Sequence, residues 1–331
     1  MKLKKNVFTK NPLRLSGEGF FLGFPHHLLG LKDLSRAQIE FVLKEASRFK
    51  VKMVDGKRKC DDLAGRTLIN LFFESSTRTR VSFELAARRL SAELLSITPQ
   101  ATSLTKGESL KDMVENLEAM GPDLIVVRHA SSGVPGLIAR YTRASVVNAG
   151  DGSHEHPTQA LLDLFTAREK FGSLEGLQVV IVGDIAYSRV ARSNIYGFKK
   201  MGAQVTCVGP ATLLPPGLEK LGVRVATRLD GELEKADVVM LLRIQKERQE
   251  KLNFPSLAEY TRFFCLSRAR VKLMKKEAII MHPGPINRGV EIDPEIADGL
   301  NEGGPRTVIL DQVANGIAVR MAILSLWGRQ R

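Results

Sequence analysis

The residues best suited to chemistry stand in one short stretch, Ser75-Ser76-Thr77-Arg78-Thr79-Arg80. The mostly apolar segment 66–73 before it predicts a buried strand, and apolar residues after it recur near helical spacing. A helix that begins near Thr77 offers unpaired amides and the positive end of its dipole. The hydroxyls and guanidiniums of 76–80 add donors that suit a phosphate. A capped helix followed by solvated arginines is the plainer alternative, but the density of donors after a buried strand favours a phosphate cradle.

Further arginines follow other predicted strands. Arg128 lies near the end of the strand 123–129, and ligands in open α/β sheets bind at such carboxyl ends. A solvated strand-end arginine is the alternative there. In the second half of the chain, Arg189, Arg243 and Gln245 also follow predicted strands. Two arginines in that half suit a ligand that carries two carboxylates.

A histidine motif, His156-Pro157-Thr158-Gln159, follows the predicted strand 145–148. Pro157 fits the first turn of a helix that runs to about residue 171. The neighbouring His154 and Glu155 could suggest a metal site. Adjacent side chains point in different directions, however, and no third ligand follows at helical spacing, so we expect no metal. A histidine just before a helix start is better placed to donate a hydrogen bond.

A polar loop, 101–110, carries Ser103 and Lys106. Taken alone, this segment predicts a surface loop that precedes a helix from Ser109 to Met120.

Predicted strands and helices alternate in both halves, which is typical of α/β domains with parallel sheets. A helix cap at Ser35 with Gln38 three residues later opens the first helix, and an apolar-periodic helix over 312–327 closes the chain. We therefore predict two doubly wound parallel-sheet domains joined by helices, with the active site in the cleft between them. The expected divisions are a loop-like N-terminal extension over 1–27, a first domain over 28–157, a second domain over 158–305, and a C-terminal helix over 306–331 that packs back on the first domain.

Composition narrows the function. The 331 residues are 44% hydrophobic and carry a net charge of +13, as a soluble globular protein can. We find neither the ~18 consecutive apolar residues of a membrane helix nor a secretory signal. Cys60, Cys207 and Cys265 match no zinc spacing, which favours reduced thiols in the cytoplasm. The chain has no nucleic-acid-binding motif, so the positive charge favours small anionic substrates. It has no nucleotide-binding motif either, so we expect no cofactor.

Three motifs together resemble the carbamoyltransferase family: Ser76-Thr77-Arg78-Thr79-Arg80, His156-Pro157-Thr158-Gln159 and His282-Pro283-Gly284-Pro285. The resemblance runs from about residue 28 to the end of the chain. The last two motifs and the segment 243–248 resemble the aspartate carbamoyltransferase catalytic chains within that family. Ornithine-using members carry a cysteine in both blocks, where this chain has Thr158 and Pro283. Gly284 departs from the leucine of well-known relatives, and the loop around Lys106 has one lysine where some relatives have two.

The resemblance implies transfer of the carbamoyl group of carbamoyl phosphate to the α-amine of L-aspartate, an early step of pyrimidine biosynthesis, without metal or cofactor. It implies that the first domain binds carbamoyl phosphate and the second binds aspartate. The implied catalytic residues are Arg78, Thr79, Arg128, His156 and Gln159. The residues implied to bind carbamoyl phosphate are Ser76, Thr77, Arg78, Thr79, Arg128, His156, Gln159, Gly284 and Pro285. The residues implied to bind aspartate are Ser103, Lys106, Arg189, Arg243 and Gln245.

Individual roles follow from the same resemblance. Arg128, His156 and Thr79 polarise the carbonyl oxygen, Gln159 holds the carbamoyl amino group, and the carbonyls of Pro283 and Gly284 help to position the reacting groups. Arg189 lies near the α-carboxylate of aspartate, while Arg243 and Gln245 lie near its side-chain carboxylate. Ser103 and Lys106 reach the site of a neighbouring subunit, so the resemblance implies a homotrimer with shared sites.

Three other functions compete with this interpretation. Ornithine as the acceptor carries a side-chain ammonium group, which would require an acidic residue at the position of Arg243. A non-catalytic scaffold would not need every matched catalytic position filled, as they are here. Nucleic-acid binding rests on charge alone and predicts salt-sensitive retention on DNA. A regulatory chain or a dihydroorotase could join the trimer, and the sequence leaves that open.

Overall fold

The structure is a computed structural model and describes residues 23–56, 58–98, 107–244, 256–301 and 303–330. Its contacts divide the chain into a first unit, Met1–Ala149 with Ile317–Arg331, and a second unit, Gly150–Gly316. Each unit is built on a parallel sheet with helices, which confirms the predicted α/β class. The domain limits inferred from the sequence stay predictions.

The first unit contains a four-stranded sheet in the order β2-β1-β3-β4. Its strands are β1 (Thr67–Phe72), β2 (Glu93–Ile97), β3 (Leu124–His129) and β4 (Ser145–Asp151). Its helices are α1 (Arg36–Val54), α2 (Thr77–Arg89), α3 (Leu110–Ala119) and α4 (Val134–Ile138). Strand order reverses between β1 and β3, and such a reversal is where open α/β sheets bind ligands.

The second unit contains a six-stranded sheet in the order β10-β9-β8-β5-β6-β7. Its strands are β5 (Gln178–Val182), β6 (Gln204–Val208), β7 (Arg224–Ala226), β8 (Val238–Leu241), β9 (Ile279–Met281) and β10 (Arg306–Thr307). Its helices are α5 (Pro157–Phe171), α6 (Arg189–Lys200), α7 (Asp230–Leu233), α8 (Leu257–Phe264), α9 (Arg268–Val271) and α10 (Pro294–Ala297). Here strand order reverses between β5 and β8.

Local signals in the sequence explain where several helices begin. Ser35 caps α1 and forms the predicted reciprocal box, in which Gln38 N donates to Ser35 Oγ and Ser35 N donates to Gln38 Oε1. Ser109 caps α3, so this helix begins at Leu110, one residue after the predicted start at Ser109. Pro157 occupies the first turn of α5, where its missing amide costs no hydrogen bond.

The C-terminal helix α11 (Ile309–Gly328) is long and apolar enough to cross a membrane by length and composition alone. However, 72% of its most apolar window is buried inside the protein, as in the core helix of a soluble protein. Near its end, Trp327 Nε1 donates to Pro25 O at 3.0 Å, and the Trp327 ring meets Phe24 edge-on at 5.1 Å. These contacts tie the end of the helix to the start of the described chain within the first unit.

Short or exposed elements were absent from the sequence prediction. Strand β2 is the clearest case, since its side chains are mostly exposed and its five-residue run has no clear alternation. It exists because its backbone pairs with β1 in register, Thr67 opposite Glu93. Strand β10 has only two residues, and it pairs with β9. Neither strand has an alternating hydrophobic pattern from which it could be predicted in the sequence.

Candidate active site

The N-terminus of α2 lacks the side-chain cap that other helices of this chain have. Ser76 occupies the cap position, but its Oγ donates to Thr79 Oγ1 at 2.9 Å and accepts no helix amide. By contrast Ser35, Ser109 and Ser188 each accept an amide of their own helix. The first amides of α2 are therefore available to an external acceptor, and the helix dipole makes an anion the favoured one.

The two arginines of the cradle differ in their contacts. Arg80 Nε lies 3.7 Å from Glu84, one helical turn further on. Arg78 is exposed and, within the part of the chain that the structure describes, pairs with no carboxylate. The interpretation from the sequence counted both guanidiniums as phosphate donors, and this stays a prediction. Arg78, the hydroxyls and the helix amides are the candidate donors of the cradle, while Arg80 lies near Glu84.

Arg128 lies directly beside the cradle at the reversal of strand order. In the sheet it stands opposite Phe72, the last residue of β1, and Phe73 N donates to its carbonyl at 2.9 Å. Its guanidinium is buried and donates from Nη2 to Glu74 Oε1 at 2.8 Å and from Nη1 to Ala149 O at 3.0 Å. These contacts exclude the solvated strand-end alternative. They hold the positive charge of Arg128 in a fixed position at the carboxyl end of β3.

His156 is held at the start of α5 in the second unit. It occupies the cap position and is 4% exposed. Its backbone amide donates to Ser193 Oγ at 2.8 Å, and Ser193 Oγ donates to Glu155 Oε2 at 2.8 Å. Since Ser193 belongs to α6, the start of α5 is fixed against its neighbouring helix. His156 therefore lies at a helix N-terminus, as the sequence predicted, and its role as a hydrogen-bond donor stays a prediction.

Gln159 lies one turn into α5 and belongs to a buried polar network. Its Nε2 donates to Asp163 Oδ1 at 2.9 Å. Asp163 also accepts from Gln312 Nε2 at 2.8 Å and from Asn194 Nδ2 at 2.8 Å. Gln312 Oε1 in turn accepts the backbone amide of His282 at 2.9 Å. The network therefore joins the motif around His156 to the motif that begins at His282.

The loop after β9 follows directly from His282. Gly284 N donates to His282 Nδ1 at 2.7 Å, so His282 carries its ring proton on Nε2 when neutral. Gly284 has a φ of +61°, in the region that side chains resist, and the Gly284–Pro285 peptide is cis. Glycine suits a position with this φ, because it has no Cβ to resist it.

The two arginines of the second unit stand at element ends. Arg189 is the first residue of α6 and is buried behind the Ser188 cap. Arg243 lies two residues beyond β8 and is half-buried. The next residue, Ile244, donates its amide to Glu291 Oε1 at 3.0 Å, and Glu291 Oε2 accepts Asn287 N at 2.8 Å. Burial raises the pKa of Glu291 against the opposing effect of these donors.

Several predicted residues cannot be placed or take other roles. Ser103, Lys106 and Gln245 lie outside the described residues. His154 Nδ1 lies 3.1 Å from Asp151 Oδ2, and this contact is the main cause that raises the pKa of His154. Over the described ranges, no group of three or more His, Cys, Asp or Glu side chains could hold a metal ion.

The remaining predicted residues divide between the two units. In the first unit Arg128 contacts Phe72, Phe73 and Glu74, the residues that directly precede the serines of the cradle. The second unit contains the other predicted residues, namely His156, Gln159, Arg189, Arg243, Gly284 and Pro285. Sequence reasoning missed Glu74, Asp163, Glu291 and Gln312, which hold these residues in place. Asp163 had a visible signal, because a carboxylate stands there in an otherwise largely apolar helix segment.

Comparison with known proteins agrees with the motifs. Residues 26–169 match a family model described as the aspartate/ornithine carbamoyltransferase carbamoyl-P binding domain, and residues 175–327 match the Asp/Orn binding domain. The aspartate carbamoyltransferase catalytic subunit of Syntrophus aciditrophicus is 54% identical over 90% of this chain and 96% of its own length.

Two solved structures resemble the whole fold. Aspartate transcarbamoylase of Trypanosoma cruzi in complex with carbamoyl phosphate and aspartate is 30% identical, with a TM-score of 0.82, over 91% of this chain and 96% of its own. The same enzyme with N-(phosphonacetyl)-L-aspartic acid is 30% identical with a TM-score of 0.82, over 91% and 95%. Both domain models match, and a relative is 54% identical over nine-tenths of the chain. This chain therefore belongs to the aspartate/ornithine carbamoyltransferase family.

Proposed function

We propose that this chain transfers the carbamoyl group of carbamoyl phosphate to the α-amine of L-aspartate, giving N-carbamoyl-L-aspartate and inorganic phosphate. The observation that carries the proposal is the N-terminus of α2, which has no side-chain cap and whose Arg78 pairs with no carboxylate of the described residues. The guanidinium of Arg128 is fixed on Glu74, two residues before Ser76. An acyl phosphate needs both parts, one for its phosphoryl group and one for its carbonyl oxygen. The relatives named above act on, or were crystallised with, these substrates.

The cradle accounts for the leaving group. The α2 amides, the hydroxyls of Ser76, Thr77 and Thr79, and Arg78 bind the phosphoryl oxygens and stabilise the charge that phosphate carries away. This charge is present before the reaction and grows as the carbon–oxygen bond breaks, so a preorganised anion site favours the departure.

The carbonyl group reacts at its carbon. The lone pair of the aspartate amine attacks it, and negative charge builds on the carbonyl oxygen. Arg128, Thr79 and His156 stabilise that oxygen, an effect of about 3–4 kcal/mol for each donor lost. The tetrahedral intermediate collapses with cleavage of the carbon–oxygen bond to phosphate, and the departing phosphate accepts the proton of the amine. Holding the two substrates together supplies much of the remaining acceleration.

Acceptor choice is assigned to the second unit. Arg189 pairs with the α-carboxylate of aspartate, and Arg243 with Gln245 binds the side-chain carboxylate. Guanidinium groups bind carboxylates through two parallel hydrogen bonds, so two arginines favour a dicarboxylate over the ammonium side chain of ornithine. The reaction would serve an early step of pyrimidine biosynthesis in the cytoplasm.

Acceptor-dependent release of phosphate from carbamoyl phosphate tests the proposal. The full chain is assayed with L-aspartate, with L-ornithine and without acceptor. We expect turnover with aspartate and only background rates in the other two arms. Turnover with ornithine instead would overturn the assignment of Arg243 and Gln245, and no turnover with either acceptor would favour a scaffold.

We also propose that the chain assembles as a homotrimer, with Ser103 and Lys106 completing the site of a neighbouring subunit. Support comes from the family resemblance of the loop that carries them. Sedimentation velocity should give the mass of three chains. Mixing Arg78→Ala chains with Lys106→Ala chains should restore activity in hybrid trimers if sites are shared. A fully active monomer would contradict this assembly. A regulatory chain or a dihydroorotase could associate with such a trimer.

A further inference from the structure

We propose that Asp163 is a positioning residue that orients the side-chain amide of Gln159 toward the carbamoyl group, and that Gln312 extends this control to the loop after His282. The inference rests on the proposed function, in which Gln159 contacts the carbamoyl amino group. Asp163 itself contacts no reacting atom in this account. Its role is to decide which end of the Gln159 amide the substrate meets.

The carboxylate of Asp163 fixes the amide through the chemistry of its donors. Asp163 is 0% exposed, and it accepts hydrogen bonds from Gln159 Nε2, Gln312 Nε2 and Asn194 Nδ2 at 2.9, 2.8 and 2.8 Å. An ionised carboxylate only accepts hydrogen bonds, so the amino end of Gln159 must face it. The carbonyl end, Oε1, is then the end that can accept from the amino group of a substrate.

Gln312 has its orientation fixed independently. Its Oε1 accepts the backbone amide of His282 at 2.9 Å, and a backbone amide only donates. The other end of Gln312 therefore faces Asp163. Because His282 Nδ1 accepts the amide of Gly284, the chain of hydrogen bonds runs from Gln159 to the loop whose carbonyls are assigned to the carbamoyl group. The Asp163 carboxylate thus connects Gln159 to this loop through Gln312.

A buried carboxylate needs a reason to be there. Asp163 lies on α5, where every residue from Pro157 to Ala167 is buried, so an apolar side chain would avoid the cost of burying a charge. Three amide donors offset that cost. Unlike an apolar side chain, the carboxylate selects one orientation for each amide around it, because it only accepts hydrogen bonds.

This orientation predicts selectivity between two similar acyl phosphates. Acetyl phosphate has the phosphate and the carbonyl of carbamoyl phosphate but carries a methyl group in place of the amino group. Gln159 Oε1 can accept a hydrogen bond from the amino group and none from the methyl. In Asp163→Asn, the new amide can donate to Gln159 Oε1, which lets the Gln159 side chain turn and present its amino end to the substrate.

The experiment measures both ligands in the same variants of the full chain. We expect Asp163→Asn to raise the KM for carbamoyl phosphate by about 10- to 100-fold. The inhibition constant of acetyl phosphate should change by less than about threefold, since its methyl group makes no such bond. Inhibition by inorganic phosphate should be unchanged, because the cradle belongs to α2. A structural collapse would weaken all three ligands together.

A matched control lies three residues further along the same two helices. Asn315 Nδ2 donates to Thr166 Oγ1 at 3.0 Å, another buried contact between α5 and α11. Thr166→Val should lower the melting temperature. It should not change the ratio of the KM for carbamoyl phosphate to the inhibition constant of acetyl phosphate. If Asp163→Asn does not fold, Gln312→Met is the second test. It should raise the ratio of the KM for carbamoyl phosphate to the inhibition constant of acetyl phosphate by about three- to tenfold, because the loop after His282 loses its anchor.

A double-mutant cycle decides whether Asp163 acts through Gln159. In a Gln159→Ala background, Asp163→Asn should no longer change the ratio. An unchanged ratio in a folded Asp163→Asn chain, or in Gln312→Met, would overturn the inference. So would an undiminished effect in the Gln159→Ala background. If the wild type itself fails to carbamoylate aspartate, the proposed function fails instead, so the two failures are distinguishable.

Discussion

Arg128 Nη2 donates a hydrogen bond to Glu74 Oε1 across 2.8 Å, joining the carboxyl end of β3 to the residue that precedes the cradle serines. The side chains are 10% and 24% exposed, so solvent screens this pair less than a surface pair. This hydrogen bond keeps the guanidinium of Arg128 in one position, which its long, flexible side chain would not do alone. It also means that the stabilising charge depends on a residue to which the family motifs draw no attention.

Glu74→Ala should therefore lower kcat by about 10- to 100-fold, since Arg128 loses its fixed position and stabilises the carbonyl oxygen less well. Steady-state kinetics with saturating substrates measures this directly. Glu84→Ala is the control, because Glu84 is similarly exposed but lies 3.7 Å from Arg80 and has no contact with Arg128 among the described residues. Equal losses in both variants would contradict the role of Glu74.

Arg78→Ala should reduce kcat/KM for carbamoyl phosphate by about 100-fold or more, since the cradle loses a cation that no carboxylate of the described chain neutralises. The matched control is Arg88→Ala, which removes an exposed arginine from the last turn of the same helix. Initial rates across a range of carbamoyl phosphate concentrations separate the two. If Arg88→Ala is as damaging as Arg78→Ala, the cradle is not at the N-terminus of α2.

Glu291→Gln should raise the KM for aspartate by about tenfold while the KM for carbamoyl phosphate stays near the wild-type value. Glu291 accepts the amide of Ile244, the residue after Arg243, and two donors from Asn287. A neutral amide in its place would turn one amino end toward these donors and shift Arg243. Asp293→Asn serves as the control, because Asp293 accepts an amide from Arg268 instead.

Asp62 gives a prediction about pH and stability. Burial alone would raise its pKa, but hydrogen bonds from Cys60 and Arg48 and the charges of Arg329 and Arg48 lower it below the ordinary value of 3.8. A lowered carboxyl pKa contributes stability above the unfolded pKa, and this is lost as pH falls through the folded pKa. Asp62→Asn should cost about 1–3 kcal/mol at pH 7.

The difference in melting temperature between wild type and Asp62→Asn should shrink as the pH falls below 3.8, because the wild-type carboxylate then becomes neutral as well. Thermal unfolding between about pH 7 and pH 3 measures it. Asp61→Asn should have little effect at any pH, since Asp61 is exposed and its carboxylate accepts the surface hydroxyl of Ser91 at 3.0 Å. A difference that stays constant over the whole range would contradict this account.

The sequence predicted most strands and helices because each buried strand carries its own apolar run and several helices carry their own caps. Strand β1 and the cap at Ser35 are examples of signals confined to a few neighbouring residues. Strand β2 was missed because its side chains face solvent and its pairing partner is remote in sequence. Local pattern reasoning cannot detect a strand that only its neighbour makes.

The same limit applies to the candidate site. The chemistry-bearing residues stand in short motifs, whereas their supports come from elsewhere: Gln312 reaches Asp163 across 149 positions and Arg128 reaches Glu74 across 54. The partner of Arg80 was within reach of the sequence, because Glu84 stands at the i+4 spacing that favours an ion pair on a helix.

The central claim is that the amine of aspartate attacks the carbonyl carbon of carbamoyl phosphate while α2 holds the phosphate. Carbamoyl phosphate labelled with ¹³C in the carbonyl and ¹⁸O in the bridging oxygen tests it in one reaction followed by ¹³C and ³¹P NMR. The account predicts that the ¹³C appears in N-carbamoyl-L-aspartate and that the ¹⁸O appears in inorganic phosphate. Label missing from the phosphate would mean attack at phosphorus, and ¹³C that never reaches aspartate would contradict carbamoyl transfer itself.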